Sequence, residues 1–248
     1  MLKAHLISEE KAQLEQFRIH FEKEPQERHL IESTDLLEKH SLADYLENVN
    51  NSINAPNIMV TASLFSKRYS YLFLVPVLYS MSRFNKFFNV AIENIKIIDS
   101  FENDLWLPEL YVKDQSMLMP INDKERIEWR NHYYRRIFGQ HLTKIWDTVS
   151  SVGKIPKQTL WENTAIYIFW LYETVLHETS AERTKEDFHY LLFEADGTVF
   201  GNYLKNPLTG FYNNKINKNG SEIRPRQTCC FSYQLSEKSM CKTCPKNC

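Results

Sequence analysis

Cysteine is missing from the first 228 residues of this 248-residue chain, so any cysteine chemistry is confined to its end. Glycine and proline are scarce, with 6 and 9 residues, which argues against low-complexity sequence and against a chain of tight β-turns. The formal net charge is only −1, which excludes a global electrostatic attraction to nucleic acid. The apolar content of 43% is ample for a packed core.

Membrane-spanning and secretory segments are also lacking. The longest apolar run, from Tyr69 to Met81, contains Pro76 and is shorter than the roughly twenty residues that cross a bilayer. The chain begins with a charged amphipathic stretch instead of a signal peptide, which predicts a cytoplasmic protein. In a reducing compartment, clustered thiols more often bind metals or act in redox chemistry than form disulfides.

Nucleotide-cofactor signatures are missing as well. No G-x-G-x-x-G follows a strand, and no phosphate-binding loop is present. We therefore expect neither NAD nor flavin to bind.

All five cysteines lie between Cys229 and Cys248. The first four form an adjacent pair, ten further residues and a Cys-x-x-Cys pair: Cys229, Cys230, Cys241 and Cys244. Four soft thiolates suit zinc or an iron–sulfur cluster. Zinc sites usually take ligands as two C-x₂₋₄-C knuckles, and only the second pair has that form. Spacing alone leaves zinc, iron–sulfur and thiol redox chemistry open, with Cys248 as a spare thiol outside the pattern.

The spacing Cys-Cys-x₁₀-Cys-x₂-Cys resembles the signature of the FhuF-like ferric siderophore reductases. Arg224 and Arg226 before the adjacent pair, and Phe231 and Tyr233 after it, agree with the pattern of that family. Two upstream segments are also similar to the family: Leu160-Trp161-Glu162-Asn163, with Glu162 where the family has glycine, and Ser63 to Tyr69 followed by the apolar run with Pro76.

The resemblance implies a [2Fe-2S] cluster held by Cys229, Cys230, Cys241 and Cys244. It further implies that the cluster passes one electron to the Fe³⁺ of a hydroxamate- or citrate-type siderophore, from which Fe²⁺ then leaves. A separate electron donor is expected, and peripheral association with a membrane siderophore transporter stays open. Two rival hypotheses are a zinc-stapled protein-binding module and a siderophore-binding protein whose cluster only senses iron or redox state.

Positive charge gathers in the last part of the chain. From Asn202 onward, the chain contains eight Lys or Arg residues but only two acidic residues, Glu222 and Glu237. Such an excess predicts a basic rim that attracts an anionic chelate. Alternatively, the two arginines pack on aromatic residues or pair with a buried acid. The predicted rim residues are Arg224, Arg226, Lys205, Lys215, Lys218 and Lys242.

Two basic residues further upstream, Lys67 and Arg68, lie off the apolar stripe of their helix. They belong either to a solvated face or to a site that binds an anionic ligand. His141 lies on an apolar face and is expected to be a hydrogen-bonded core residue. Asn163 lies in a helix that is apolar nearly all round, so its buried amide needs partners.

The hydrophobic periodicity predicts an α+β, helix-dominated single compact unit with small antiparallel strand pairs. Its expected parts are an N-terminal helical region (1–56), a core (57–223) and a C-terminal cysteine-rich metal-cluster segment (224–248). Pro76 is expected to kink or break its helix, and Gly139 to interrupt another. Helices are predicted over 8–23, 33–49, 57–82, 122–153 and 160–177, strands over 90–98 and 105–113 around a loop at 101–104, and a hairpin over 188–193 and 198–200 joined by Asp196-Gly197.

Overall fold

The computed structural model describes residues 1–21, 29–102, 105–177, 182–235 and 240–246. Helices dominate and are accompanied by small sheets, so the predicted helix-dominated α+β class is confirmed. The α-helices are α1 (Ser8–Glu15), α2 (Lys39–Ser52), α3 (Ile58–Tyr79), α4 (Asp123–Arg135), α5 (Thr143–Gly153), α6 (Lys157–Trp170) and α7 (Glu182–His189).

Short strands line the helical body. The largest sheet has four strands in the order β2-β8-β5-β3, antiparallel except for the β2–β8 pair. A three-stranded sheet and two hairpins complete the set. The strands are β1 (Leu2–Ala4), β2 (Ile19–His20), β3 (Leu30–Glu32), β4 (Phe87–Phe88), β5 (Ile95–Ile98), β6 (Phe101–Glu102), β7 (Leu105–Trp106), β8 (Glu109–Val112), β9 (Met117–Met119), β10 (Ile216–Lys218) and β11 (Ser221–Ile223).

Helix α3 is the centre of the core, and it packs along α6. Its N-terminus is capped by Asn57, whose side chain accepts a hydrogen bond from the Val60 amide at 3.1 Å. Phe65, Tyr69 and Phe73 stack in succession along the helix and are almost fully buried. Helix α3 continues through Pro76 to Tyr79, so Pro76 does not break it. No helix in the described ranges combines the length and the apolar content required to cross a bilayer.

The long predicted helix over 122–153 is divided in the structure. Helices α4 and α5 are joined by a π-helical segment, Arg136–Leu142, which contains Gly139. A Cβ at Gly139 would lie 3.0 Å from the backbone oxygen of Val199, so a neighbouring segment passes close by. The interruption predicted at this glycine is confirmed.

His141, in the same π-helical segment, is a buried core residue as expected. Its Nδ1 lies 2.9 Å from the Val90 carbonyl oxygen and its Nε2 lies 2.6 Å from the Tyr69 hydroxyl. The carbonyl can only accept, so Nδ1 carries the proton and Nε2 accepts from Tyr69. Burial lowers the pKa of His141 to about 4, so the ring is neutral at physiological pH.

Two predictions of secondary structure are wrong. Residues 188–200 do not form a hairpin: α7 continues into a π-helical turn, Tyr190–Glu194, followed by a 3₁₀ turn, Gly197–Phe200. Leu191 and Leu192 are buried at the helical spacing from Phe188, and Asp196 caps the 3₁₀ turn by accepting from the Thr198 amide.

The first predicted helix is also too long, because α1 ends at Glu15. Arg18 then adopts a left-handed backbone conformation and donates to the Leu107 carbonyl oxygen at 2.7 Å. The chain therefore turns into β2 at Ile19, and residues 22 and 23 of the prediction lie outside the described ranges.

The strands predicted over 90–98 and 105–113 are confirmed in outline, because β5 and β8 pair antiparallel. The hairpin β6–β7 lies between them, and residues 103 and 104 of its predicted loop lie outside the described ranges. A turn at Asn219-Gly220 joins β10 to β11, and both of its residues have positive φ.

Candidate metal centre

The cysteine segment returns to the helical body and places its thiols at two depths. Cys230 and Cys244 are buried, at 5% and 3% exposure, whereas Cys229 and Cys241 are half-buried. Phe231 adopts a left-handed conformation directly after the adjacent pair, and its amide donates to the Cys229 sulfur at 3.3 Å.

The two cysteine pairs are brought side by side. The amide of Arg226 donates to the Thr243 carbonyl oxygen at 2.9 Å, which ties the segment before the first pair to the loop of the second. Interaction with the Cys241 thiol lowers the pKa of Cys230, and the same interaction together with burial raises the pKa of Cys241. Within the described ranges, no three His, Cys, Asp or Glu side chains surround one point as a single metal ion requires.

Glu162 anchors the backbone immediately before the first cysteine pair. Its carboxylate is 2% exposed and accepts the amides of Gln227 at 2.6 Å and Thr228 at 2.7 Å. The Thr228 hydroxyl donates to the same carboxylate. The residue at which the sequence departs from the L-W-G-N pattern is therefore the one that holds the cysteine loop onto α6.

Arg226 lies inside the protein beneath that loop. It is 5% exposed, its Nη2 donates to Asn163 Oδ1 at 2.6 Å, and its Nε lies 3.5 Å from Glu162 Oε2. Arg226 thus has the buried acid partner that the sequence offered as the alternative to a role in the basic rim. A buried guanidinium needs such a partner.

Asn163 connects α3, α6 and the cysteine segment. Its side-chain amide nitrogen donates to Ser66 Oγ at 2.8 Å and reaches Ser63 Oγ at 3.2 Å. Ser63 Oγ in turn donates to the Cys230 carbonyl oxygen at 2.8 Å. The buried amide thus has the partners that the sequence required, and they fix the backbone of a cysteine.

Arg224 lies at the side of the segment and is held by aromatic and acidic neighbours. Its guanidinium stacks over the Tyr212 ring at 4.0 Å, and its Nη2 lies 2.6 Å from Glu173 Oε1. Lys215 pairs with the other oxygen of Glu173 at 2.9 Å. Burial alone would raise the pKa of Glu173, but hydrogen bonds from Lys215 and Tyr212 and the charge of Arg224 lower it.

A cleft of about 370 Å³ borders the cysteine segment. Its apolar wall comes from α6 and includes Phe169 and Trp170, while Thr243 lies between two cysteines on its other side. Acidic residues also line it, so the cleft has mixed charge instead of a uniformly positive one. Four predicted rim residues line this cleft: Lys215, Arg224, Arg226 and Lys242.

The remaining two predicted rim residues lie elsewhere. Lys218 lines a neighbouring depression that shares Ile223 and Lys242 with the cleft. Lys205 is exposed in the loop near Gly197 and lines neither cavity. Of the six, the fold gathers five along one side of the cysteine segment.

Sequence reasoning missed the functions of Glu162, Glu173, Ser63 and Ser232 around this site. Only Glu162 carried a signal, since it replaces a glycine in a recognisable segment. Lys67, for which both a solvated face and an anion site were open, contacts the cysteine segment: its Nζ lies 3.4 Å from Ser232 Oγ.

Comparison with protein-family models finds two matches in this chain. Residues 63–218, more than half of the chain, match the family described as "Ferric iron reductase FhuF-like transporter". The chain belongs to the FhuF-like family of ferric iron reductases. Residues 226–246 match the "FhuF 2Fe-2S C-terminal domain". Comparison with curated proteins finds no match.

The domain match identifies the cofactor of this FhuF-like protein as a [2Fe-2S] cluster, as the resemblance implied. The donor set fits such a cluster, because thiolates are its usual ligands and two cysteines stand in each of two adjoining loops. A two-iron cluster needs two thiolates at each iron, a lesser demand than four around one ion. Membership of the family also makes the protein an oxidoreductase of ferric iron in general terms.

Proposed function

We propose that this protein reduces the Fe³⁺ of a siderophore complex by one electron and so releases Fe²⁺. The residues that hold the cluster in this proposal are Cys229, Cys230, Cys241 and Cys244. A [2Fe-2S] cluster supplies single electrons, which is the number that the conversion of Fe³⁺ to Fe²⁺ requires. Oxygen chelators bind Fe²⁺ far less well than Fe³⁺, so this one step is sufficient for release.

The observation that carries the proposal is the position of the cleft against the cysteine segment. Lys242 and Thr243 belong both to the cleft wall and to the loop between Cys241 and Cys244. A chelate seated there lies beside the proposed ligands, and Trp170, which is 38% exposed, offers an aromatic surface to its organic part. Lys242 offers positive charge at the rim, in agreement with the predicted attraction of an anionic complex.

The rest of the local structure holds the thiols in place. Glu162 fixes the amides before the first pair, and Ser63 fixes the carbonyl of Cys230. These contacts come from buried positions on α6 and α3, so the ligands rest on rigid elements. The electron enters from a separate donor in this proposal, and the cytoplasmic location, the chelate type and any association with a transporter remain predictions.

The test uses the cluster-loaded protein, reduced with dithionite under anaerobic conditions and freed of excess reductant. It is mixed with ferric trihydroxamate or ferric citrate in the presence of a ferrous chelator. We expect stoichiometric appearance of Fe²⁺ with return of the visible spectrum of the oxidised protein. A reduced cluster that persists beside both chelates for hours would support the sensor alternative and contradict the proposal.

The cleft is tested separately with Trp170→Ala and Lys242→Gln. We expect an unchanged visible spectrum and a several-fold higher KM for the chelate. Phe101→Ala is the matched control, because Phe101 is an exposed aromatic residue, at 47%, that does not line the cleft. If both cleft variants keep the wild-type KM with both chelates, the substrate binds elsewhere.

A further inference from the structure

Lys67 occupies an unusual position for a lysine. It extends from α3 towards the cysteine segment, and its ammonium lies 3.4 Å from Ser232 Oγ. Ser232 Oγ lies 3.1 Å from the sulfur of Cys230. A chain of two contacts therefore links a cation on the rigid core helix to one of the four proposed ligands.

No carboxylate pairs with Lys67 within the ranges that the structure describes. Glu162, the acid that holds the cysteine segment, is already engaged by two backbone amides and by Arg226. Burial lowers the pKa of Lys67, and the groups that act in the opposite direction are Cys230 and Cys241. The groups that favour the charged form of this side chain thus belong to the cysteine segment.

A half-buried ammonium without a carboxylate carries a desolvation cost that a nearby anion would offset. A [2Fe-2S] unit with four thiolate ligands is a dianion when oxidised and a trianion when reduced, by formal charges. A nearby cation therefore stabilises the reduced form more than the oxidised form. Net charge and hydrogen bonds to the sulfurs are the quantities by which proteins set the potential of such clusters.

We propose that Lys67 is a positioning residue that supplies the counter-charge for the reduced cluster through Ser232 and Cys230, and thereby raises its reduction potential. This inference rests on the proposed assignment of Cys230 as a ligand. The inference does not require that the electron acceptor is a siderophore complex, so it can be tested independently of the proposed reaction.

The experiment is an EPR-monitored redox titration of the loaded protein, with iron and sulfide analysis of each variant. Lys67→Met keeps the length and apolar stem but removes the charge, and Lys67→Arg keeps the charge. Lys124→Met is the control, because it removes one exposed lysine at the start of α4. Ser232→Ala removes the intermediate hydroxyl and leaves the ammonium.

We expect Lys67→Met to lower the equilibrium constant for reduction at least tenfold, or about 59 mV for a one-electron couple. Lys67→Arg and Lys124→Met should stay within threefold of the wild type, and Ser232→Ala should fall between. A Lys67→Met protein with full iron content and wild-type potential would overturn the inference. If Lys67→Met does not retain the cluster, Ser232→Ala provides the test. An unchanged reduction potential in Ser232→Ala would then overturn the inference.

The same samples separate this inference from the proposed function. Transfer of the electron to a ferric chelate is measured in parallel with the potential. A lowered potential in Lys67→Met, with no chelate reduction by the wild type, supports the inference and refutes the proposed reaction. If the wild type reduces the chelate but neither test variant shifts the potential, the proposed reaction is supported and the inference about Lys67 is refuted.

Discussion

Substitution of Glu162 by Gln tests how the cysteine loop is held. The change keeps the shape of a side chain that is 2% exposed but removes its charge. In the wild type, one carboxylate oxygen accepts a hydrogen bond from the Gln227 amide at 2.6 Å, and the other accepts one from the Thr228 amide at 2.7 Å. In Gln one of these oxygens is replaced by an NH₂ group, so a hydrogen-bond donor faces the donating backbone amide.

The magnitude follows from two losses. One charge-assisted hydrogen bond to a backbone amide contributes about 1.5–3 kcal/mol. Arg226, at 5% exposure, also loses its acidic partner, and breaking a buried ion pair costs about 3–5 kcal/mol. Since the two effects share one side chain, they do not simply add. We expect the cysteine loop to lose about 3 kcal/mol of anchoring, which corresponds to roughly a hundredfold more frequent opening.

The assay is the rate of cluster loss, followed by visible absorbance in the presence of an iron chelator. Glu162→Gln should lose its cluster roughly a hundred times faster than the wild type when opening is fast relative to capture. Glu222→Gln is the matched control, because it removes the same charge from an exposed position in the same cleft. Equal loss rates for Glu162→Gln and the wild type would refute the anchoring role.

Two further predictions concern the helical body. A Cβ at Gly197 would lie 2.2 Å from the Tyr203 backbone oxygen, whereas one at Gly210 would meet nothing within 4 Å. Gly197→Ala should therefore lower the free energy of unfolding by about 2 kcal/mol or more in urea, and Gly210→Ala by less than about 0.5 kcal/mol; equal midpoints would contradict this. Burial lowers the pKa of His141 from 6.5 to about 4, so only the unfolded state binds its proton between those values, and stability falls as pH drops through that window. ¹⁵N NMR at pH 5.5 should show a neutral ring protonated at Nδ1, and a doubly protonated ring would contradict the structure.

The helices could be predicted because their apolar residues recur at the spacing that buries one face. The interruption at Gly139 and the hydrogen-bonded state of His141 could also be predicted. Glycine weakens a helix, and a histidine on an apolar face needs hydrogen-bond partners. The structure of segment 188–200 could not be predicted, because the spacing of Phe188, Leu191 and Leu192 suits a short helix as well as a strand. Only the packing of Leu191 and Leu192 into the core selects the helix.

The environment of each basic residue could not be predicted from the excess of positive charge. Arg224 and Lys215 share Glu173, and Arg226 is buried against Glu162. These pairs join residues that are more than forty positions apart in sequence. The number of basic residues gives only their summed charge, whereas the fold pairs these three with particular acidic residues.

The sequence by itself determined the cofactor. The spacing of the cysteines restricts the chemistry to a few choices, and the match of residues 226–246 to the FhuF 2Fe-2S C-terminal domain selects the iron–sulfur cluster among them. It also determined the helix-dominated class, through periodicity that acts within a single element. Only the tertiary structure decided that Lys67 contacts Ser232 beside Cys230, that Glu162 holds the cysteine loop and that a cleft opens beside it. Such contacts depend on how α3, α6 and the C-terminal segment pack, and burial then makes each unpaired charge costly enough to require its partner.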